Sequence, residues 1–339
     1  MDFFSCSMQD LVFLNDTDPD ALITNPIDFF DRKKLISALR ICEAPEENNK
    51  REVRSDYELF CSLIEHRAVM PEHHQIMFFD YLLKHVFSVD LSAFCGNCKE
   101  IWSKCVDNIS QNRITISSLE RSLDLRRPAF CVSDRQKFAH VDSPFVPMLN
   151  ANSFIRTDAR DWNTWEQEMC TALEQYNCAE KTPVYVSLPM NYSFKMPSLY
   201  EVNQTLGEPI HRRNSNLLLS QIFRFFAERK GKYSLILRVE CAPDEAISLL
   251  SKIETSIGLP NVLWVTPYPH TRDALLEFTQ EKHDSRVECG LFTSDYPSKL
   301  ELDCALEAYS ARYPSGLLNV FSGCDIRYHA YERSRLEKK

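Results

Sequence analysis

The sequence predicts an α/β protein, a distorted (β/α)8 barrel of the TIM type with an inserted helical subdomain. Helix and strand patterns alternate from residue 183 to residue 327, which is typical of a parallel sheet with crossover helices. A short apolar run at residues 11–14 precedes a polar turn and suits the first buried strand. We therefore divide the chain into 1–28 (first barrel strand and turn), 29–122 (helical subdomain) and 123–339 (remainder of the barrel).

The helical subdomain is predicted from apolar side chains that recur at helical spacing. Leu59, Leu63 and Ile64 share one face, and a second apolar face repeats from Phe78 to Val86. Residues 43–55 are polar and contain a proline, so we expect an exposed loop there.

The barrel elements follow from residue 129 onwards. Apolar runs predict strands, which are Ala129–Val132, Phe145–Leu149, Val184–Leu188, Ser234–Val239, Val262–Thr266, Arg286–Phe292 and Leu317–Phe321. Periodic segments between them predict helices, which are Trp162–Cys178, Leu217–Arg229, Pro243 to about Gly258, Thr271–Lys282 and Pro297–Arg312. Asn214 or Ser215 is the predicted cap of the second helix, and Pro243 suits a helix start.

Composition excludes several classes of function. The net charge of −9 argues against a nucleic-acid partner. We find no signal peptide and no run long enough to span a bilayer, so we expect a cytoplasmic protein without a membrane partner. The 13 cysteines are then expected to be reduced thiols. A homo-oligomer is compatible with this composition.

Glycine is scarce, with seven residues where average usage gives about 24. Neither of the glycine-rich phosphate-binding motifs occurs in the chain. Nucleotide binding through such loops is therefore not expected.

The visible cysteine cluster consists of Cys95, Cys98 and Cys105. A zinc site needs four ligands, usually with a second paired set, and the chain has no second CxxC or HxxxH. We interpret the cluster as loop thiols rather than a metal site. The pair His73-His74 is interpreted as a solvated helix start, with metal binding as the weaker alternative.

Charged residues at the ends of predicted strands are the candidates for chemistry. His270 and Arg272 follow the strand that ends at Thr266 and face either a barrel mouth or a simple surface turn. Asp325 and Arg327 follow the last strand. A carboxylate there binds metal or acts as a base, and an arginine clamps a substrate carboxylate; the alternative is a plain ion pair.

Several segments, in a shared order, resemble the uronate isomerases, a branch of the amidohydrolase superfamily. Ser55 to Phe60 looks like the family's Ser-Asp-Tyr-x-x-Phe segment, and Glu100-Ile101-Trp102 like its Glu-Ile-Trp helix. Cys131 to Asp134 is similar to a Cys-Thr-Thr-Asp strand end. Cys324 to Arg327, followed by Tyr331-Glu332-Arg333, resembles the closing Thr-Asp-Ser-Arg strand and its Tyr-x-Arg helix. The resemblance covers about Leu11 to Leu336.

The resemblance implies a barrel that interconverts aldose and ketose sugar acids with a bound divalent metal. Asp325 would be the catalytic residue, Arg327 and Asp295 would bind the sugar acid, and His270 and Arg272 join them as candidate substrate-binding residues.

The metal-binding histidines of the family are replaced in this chain. Its His-x-His corresponds to Leu14-Asn15-Asp16, its Ser-Asp-His-Gly to Ser187 through Met190, and its His-Ile-Gly-Ala to Val239 through Ala242. Transition metals prefer imidazole with carboxylate, so the oxygens of Asp16, Glu240 and Asp325 would give at most a weak magnesium- or calcium-type site.

Three hypotheses follow from this comparison. We prefer a metal-free, catalytically degenerate uronate isomerase-like barrel that binds a sugar acid. The alternatives are an active isomerase of the glucuronate-to-fructuronate type, which would need a divalent metal cofactor, and a structural or protein-interaction subunit.

Overall fold

The structure is a computed structural model in which helices and parallel strands alternate. It describes residues 10–13, 18, 20–40, 54–90, 97–122, 129–133, 145–176, 183–229, 232–258, 261–282, 287–296, 298–312 and 318–337. The strands are β1 Asp10–Phe13, β2 Ala129–Ser133, β3 Phe145–Leu149, β4 Val184–Leu188, β5 Ser234–Val239, β6 Asn261–Val265, β7 Val287–Phe292, β8 Leu318–Phe321 and the short β9 Cys324–Asp325.

The α-helices of the described residues are α1 Arg32–Arg40, α2 Asp56–His66, α3 His74–Tyr81, α4 Cys98–Asn112, α5 Ile116–Ser122, α6 Trp162–Gln175, α7 Leu199–Gly207, α8 Ser215–Glu228, α9 Pro243–Ile257, α10 Pro269–Lys282, α11 Lys299–Arg312 and α12 His329–Glu337. Short 3-10 segments follow β3 at Ala151–Arg156 and β7 at Thr293–Asp295. Leu82–Val86 forms a π-helical turn directly after α3.

The chain divides into two compact units, and each is described by itself. The first contains residues 1–15, 127–295 and 308–323, and the second contains residues 16–126, 296–307 and 324–339. The helices expected between residues 29 and 122 belong to the second unit. The predicted domain boundaries themselves stay a prediction.

The strands of the first unit form parallel sheets, which confirms the α/β class. Strand β2 lies between β3 and β1, and β4 to β8 are neighbours in chain order. All of these pairings are parallel. An isolated parallel bridge joins Asn150, just after β3, to Tyr185 of β4. The main-chain N–H of Gly323, shortly after β8, donates to the carbonyl oxygen of Leu11 at 2.9 Å.

One apolar core takes a side chain from each of the strands β1 to β8. Its buried members are Leu11, Val132, Met148, Tyr185, Ile236, Leu263, Val265, Phe292 and Phe321. Side chains alternate between the faces of a strand, so these residues mark the core-facing positions of each strand. Burial of this apolar surface is the main source of stability of the unit.

Sequence signals explain most element boundaries. The Asn214 side chain accepts from the main-chain N–H of Leu217, so Asn214 is confirmed as the cap of α8. Strands β3, β4 and β5 have their predicted bounds. Helix α10 begins at Pro269 rather than at Thr271, so His270 and Arg272 lie in its first turn.

Two predictions about side-chain surroundings are wrong. Cys98 and Cys105 are not loop thiols: Asn97 caps α4, Cys98 is its first residue, and Cys105 lies on its buried face. Cys95 lies outside the described residues. His73 does cap α3, but both histidines are half-buried rather than fully solvated. The His74 imidazole Nε2 lies 2.6 Å from Oε1 of the fully buried Glu332.

Candidate functional site

The carboxyl end of β5 carries a charged residue on the core-facing side of the sheet. The strand register pairs Ile236 with Leu263 and Arg238 with Val265. Paired residues of neighbouring parallel strands point to the same side of a sheet. Arg238 therefore lies on the face of the apolar core, one step beyond Ile236, at the end where parallel sheets usually bind ligands.

Two carboxylates flank the guanidinium of Arg238. Its Nε donates to Oε1 of Glu240 at 2.8 Å, and its terminal nitrogen lies 3.6 Å from Oδ1 of Asp295. The guanidinium carbon lies 5.4 Å from the ring centroid of Phe292, within range of a cation–π interaction. Burial lowers the pKa of Arg238, but Asp295, Tyr185 and Glu240 outweigh burial and the net pKa is raised. The arginine is thus permanently charged.

The end of β7 positions Asp295. The main-chain N–H of Ser294 donates to the carbonyl oxygen of Ser322 at 3.1 Å, and the Thr293 hydroxyl donates to the same oxygen at 3.3 Å. These bonds fix the short 3-10 turn that ends at Asp295. Its side chain is only 11% exposed, which leaves little solvent around the carboxylate.

The Asp295 carboxyl has the properties of an acid–base group. Oδ2 is buried and has no hydrogen-bond partner among the described residues. Burial raises the pKa of Asp295 and outweighs the opposing effects of Arg238 and Arg272. A carboxyl whose pKa is raised by burial keeps its proton to a higher pH than a solvated carboxyl, which is the direction that suits a proton donor. Such groups cluster at functional sites, although buried ion pairs produce them too.

A hydrogen-bonded frame supports the neighbouring strand end. The side-chain amide of Asn152 donates to the carbonyl oxygen of Ser187 at 2.7 Å and accepts from its main-chain N–H at 2.7 Å. Ser187 is the register partner of Arg238. Tyr185, two residues earlier, is buried in the core, and burial raises the pKa of its phenol to about 12. Tyr185 therefore belongs to the buried core beneath the site, and the hydrogen bonds with Asn152 fix the main chain at the end of β4.

His270 and Arg272 have different surroundings although both lie in the first turn of α10. His270 is exposed. Arg272 is fully buried, donates to the carbonyl oxygen of Thr266 at 3.0 Å, and lies over the ring of Tyr309 with 5.0 Å to the centroid. A simple surface turn is therefore wrong for Arg272. It belongs to the electrostatic surroundings of Asp295, because it lowers the pKa of that carboxyl.

Asp325 and Arg327 lie in the second unit and bind each other. Arg327 donates from Nε to Oδ1 of Asp325 at 2.8 Å and from a terminal nitrogen to Oδ2 at 2.9 Å. The other terminal nitrogen donates to the carbonyl oxygen of Phe30 at 2.8 Å. Asp325 has 1% of its side chain exposed. This two-bond pair matches the ion-pair alternative, and the catalytic role of Asp325 stays a prediction.

The metal that the family resemblance implies does not fit the described donors. Glu240 accepts from Arg238, and both oxygens of Asp325 accept from Arg327, so a cation at either carboxylate would meet a guanidinium. Asp16 lies outside the described residues. Within the described ranges no group of three or more His, Cys, Asp or Glu side chains is arranged to hold a metal ion.

Arg238 and Tyr185 are the members of the site that sequence reasoning missed. The sequence did contain a signal for Arg238. Side chains alternate between the two faces of a strand, so Arg238 lies on the same, core-facing side of β5 as the apolar Ile236. A charged residue in that phase is costly unless it has partners. It therefore marks a strand end as a candidate site.

A separate cleft of about 370 Å³ lies at the ends of β4 and β5, between the segment 189–194 and α9. Its lining includes Leu188, Val239, Phe194, Asp244 and Lys252. The side chains of Val239 and Arg238 point to opposite faces of β5, so the cleft lies on the other side of this strand from the charged cluster.

Every helix within the described residues is too short or too polar to cross a bilayer. Comparison of the chain with known protein families and with curated proteins finds no match.

Proposed function

We propose that this chain is a uronate isomerase-like (β/α)8 barrel protein that lacks the family's metal site and binds a sugar acid. The observation that carries the proposal is the cluster of Arg238, Glu240 and Asp295 at the carboxyl ends of β5 and β7. The family resemblance suggests the ligand class, and the cluster supplies groups that suit it.

Three contacts support the barrel arrangement. The bridge between Asn150 and Tyr185 connects the strand series β1 to β3 with the series β4 to β8. Hydrogen bonds from Gly323 and Ser322 to the carbonyl oxygen of Leu11 connect the segment after β8 with β1. The single core with members from β1 to β8 is the interior that a small closed barrel requires.

The chemistry of the cluster suits a polyhydroxylated acid. A guanidinium binds a carboxylate through parallel charge-assisted hydrogen bonds. Carboxylate oxygens accept hydrogen bonds from sugar hydroxyls, and Oδ2 of Asp295 has an unused acceptor among the described residues. Arg327 remains the residue that the resemblance assigns to the sugar acid. Arg238 is the better candidate, because only its Nε donates to a carboxylate, whereas all three nitrogens of the Arg327 guanidinium already donate hydrogen bonds.

The proposed loss of catalysis rests on the whole set of residues that would have to bind the metal, rather than on any single residue. A metal supplies several kcal/mol of charge stabilisation to a transition state of this type. Of the carboxylates that would replace the lost histidines, Glu240 and Asp325 are each paired with an arginine, so little electrostatic attraction for a divalent ion remains at either one.

The test is a calorimetric titration of the full chain with glucuronate and galacturonate, and with glucose as an uncharged control. We expect the acids to bind and glucose to bind far more weakly. Arg238→Gln should weaken binding of the acids about 10- to 100-fold, the range expected for one charged hydrogen bond.

Lys252→Gln is the matched control, because Lys252 lines the separate cleft. Asp295→Asn keeps the guanidinium, so it should weaken binding of the acids without removing their advantage over glucose. Loss of binding in Lys252→Gln with full binding in Arg238→Gln would place the ligand in the cleft and refute the proposal. If neither acid bound the parent chain, the structural or protein-interaction alternative would be preferred.

The active isomerase remains the second candidate, because the raised pKa of Asp295 suits proton transfer. Metal analysis of protein purified without chelator, with an isomerisation assay in added zinc, manganese or magnesium, separates the two. One ion per chain and turnover that is lost in Asp325→Asn would establish the active enzyme.

A further inference from the structure

In the second unit, helices α2 and α4 pack through aromatic side chains. The ring of Trp102 on α4 lies edge-on to Tyr57 at 5.6 Å and to Phe60 at 5.1 Å, measured between centroids. Phe60 is fully buried. Edge-to-face pairs at these distances contribute beyond their buried area, so the contact fixes the two helices against each other.

The helix periodicity places one cysteine of each helix next to this contact. Cys61 is four residues after Tyr57, and Cys98 is four residues before Trp102. Residues four apart lie on one face of a helix, one turn from each other. In an antiparallel pair of helices, a step towards the carboxyl end of one helix matches a step towards the amino end of the other. Antiparallel packing at the contact between Tyr57 and Trp102 therefore places Cys61 next to Cys98.

The side-chain interactions agree with this geometry. The Cys98 thiol interacts with Cys61 and with Glu65, one turn further along α2, and the Tyr57 hydroxyl interacts with Cys61. Both cysteines are half-buried and carry free thiols. Cys98 belongs to the Cys95-x-x-Cys98 motif, and its described thiol neighbour is Cys61 on another helix.

We propose that Cys61 and Cys98 are an oxidisable pair that forms a reversible disulfide between α2 and α4. The oxidant is a low-molecular-weight disulfide. The Cys61 thiolate attacks one sulfur of the oxidant, forms a mixed disulfide and releases the first small thiolate. The Cys98 thiolate then attacks the Cys61 sulfur and releases the second. Two protein thiols are oxidised, one small disulfide is reduced to two thiols, and the protons of Cys61 and Cys98 pass to solvent or to the leaving thiolates.

The order of the steps follows from the surroundings of Cys98. Burial, together with the interaction with Cys61, raises the pKa of the Cys98 thiol to about 11. Its thiolate is scarce at neutral pH, and the thiolate is the nucleophile. Closure of the disulfide should therefore be slow at pH 7 and become faster as the pH rises towards 9.

The test is oxidation of the full chain with oxidised glutathione at pH 8, followed by alkylation and intact-mass measurement. We expect a species that has lost two hydrogen atoms and carries two fewer alkyl groups. Peptide mapping should identify a bond between Cys61 and Cys98, and dithiothreitol should reverse it. The oxidised chain should melt at a higher temperature than the reduced chain, because the bond constrains the unfolded state.

Cys61→Ser and Cys98→Ser should each abolish this species, and Cys98→Ser should leave a mixed disulfide on Cys61 as the end point. Cys170→Ser is the matched control, because it removes another half-buried free thiol and should change nothing. A bond between Cys95 and Cys98 in the parent chain would overturn the proposal, as would recovery of only mixed disulfides. Mapping of the parent chain decides this even if a variant fails to fold.

Discussion

Arg213 holds together the region around the amino-terminal end of α8. The residue is buried, and its guanidinium donates only to main-chain carbonyl oxygens among its hydrogen bonds. The acceptors are Glu208 at 3.2 Å, Thr157 at 2.7 Å, Ala159 at 3.1 Å and Leu206 at 2.8 Å. The side chain therefore joins the last turn of α7 to the segment that precedes α6.

Replacement by methionine keeps most of the volume and removes every donor. A hydrogen bond from a charged group contributes about 1.5–3 kcal/mol, and a buried carbonyl left without a donor costs about 1–3 kcal/mol. Because the bonds share one side chain and water can reach some carbonyls, their sum is an upper bound. We expect Arg213→Met to lower the free energy of unfolding by about 4 kcal/mol, a large fraction of a typical total of 5–15 kcal/mol.

The assay is urea unfolding followed by tryptophan fluorescence. Trp162, Trp165 and Trp264 all lie in the first unit with Arg213, so the signal reports mainly on that unit. With a slope of about 2 kcal/mol per molar urea, the midpoint should fall by about 2 M. Arg212→Met is the control, because Arg212 is exposed and loses the same charge. Equal midpoints for the two variants would refute the reasoning.

The remaining predictions concern the candidate site and the core beneath it. Burial raises the pKa of Asp295, so the protonated carboxyl stabilises the folded chain relative to the ionised carboxyl. This contribution to the free energy of unfolding is fully present below the ordinary pKa of 3.8 and is lost as the pH rises through the folded-state pKa. Asp295→Asn should therefore raise the melting temperature at pH 7 and flatten its decline with rising pH; a lower melting temperature would mean that the ion pair with Arg238 outweighs burial. Gly323 has φ +60° and an added Cβ would overlap the ring of Phe292, so Gly323→Ala should cost about 3 kcal/mol or more in urea unfolding. At Gly207, the last residue of α7, nothing lies within 4 Å of an added Cβ, so Gly207→Ala should be neutral or stabilise by up to about 1 kcal/mol, and a similar loss in both variants would contradict the steric argument.

Sequence patterns predicted the strands of the first unit well, because buried parallel strands are continuous apolar runs. Strands β4 and β5 have their predicted ends. Helix α7 was missed although Ser198 and Glu201 form a capping box at its start. That signal is local and could have been used.

The site was only partly predictable. Asp295 and Glu240 were named, but Arg238, which lies between them, was not. Its inward orientation depends on the register with Leu263 and Val265, which comes from pairing between distant segments rather than from local sequence. His270 and Arg272 have different surroundings because positions two residues apart on a helix point in different directions.

The bonds that Leu11 accepts from Ser322 and Gly323 have a consequence for biosynthesis. Ser322 lies 311 residues after Leu11, so the ribosome exposes the first strand long before its partner segment exists. During that interval β1 presents an unpaired apolar edge, the feature that promotes intermolecular strand pairing. The intervening residues 16–126 belong to the other unit, which also lacks its segments 296–307 and 324–339 until synthesis is nearly complete. Nascent chains arrested before residue 318 should therefore recruit chaperones that bind apolar segments more strongly than chains released after it.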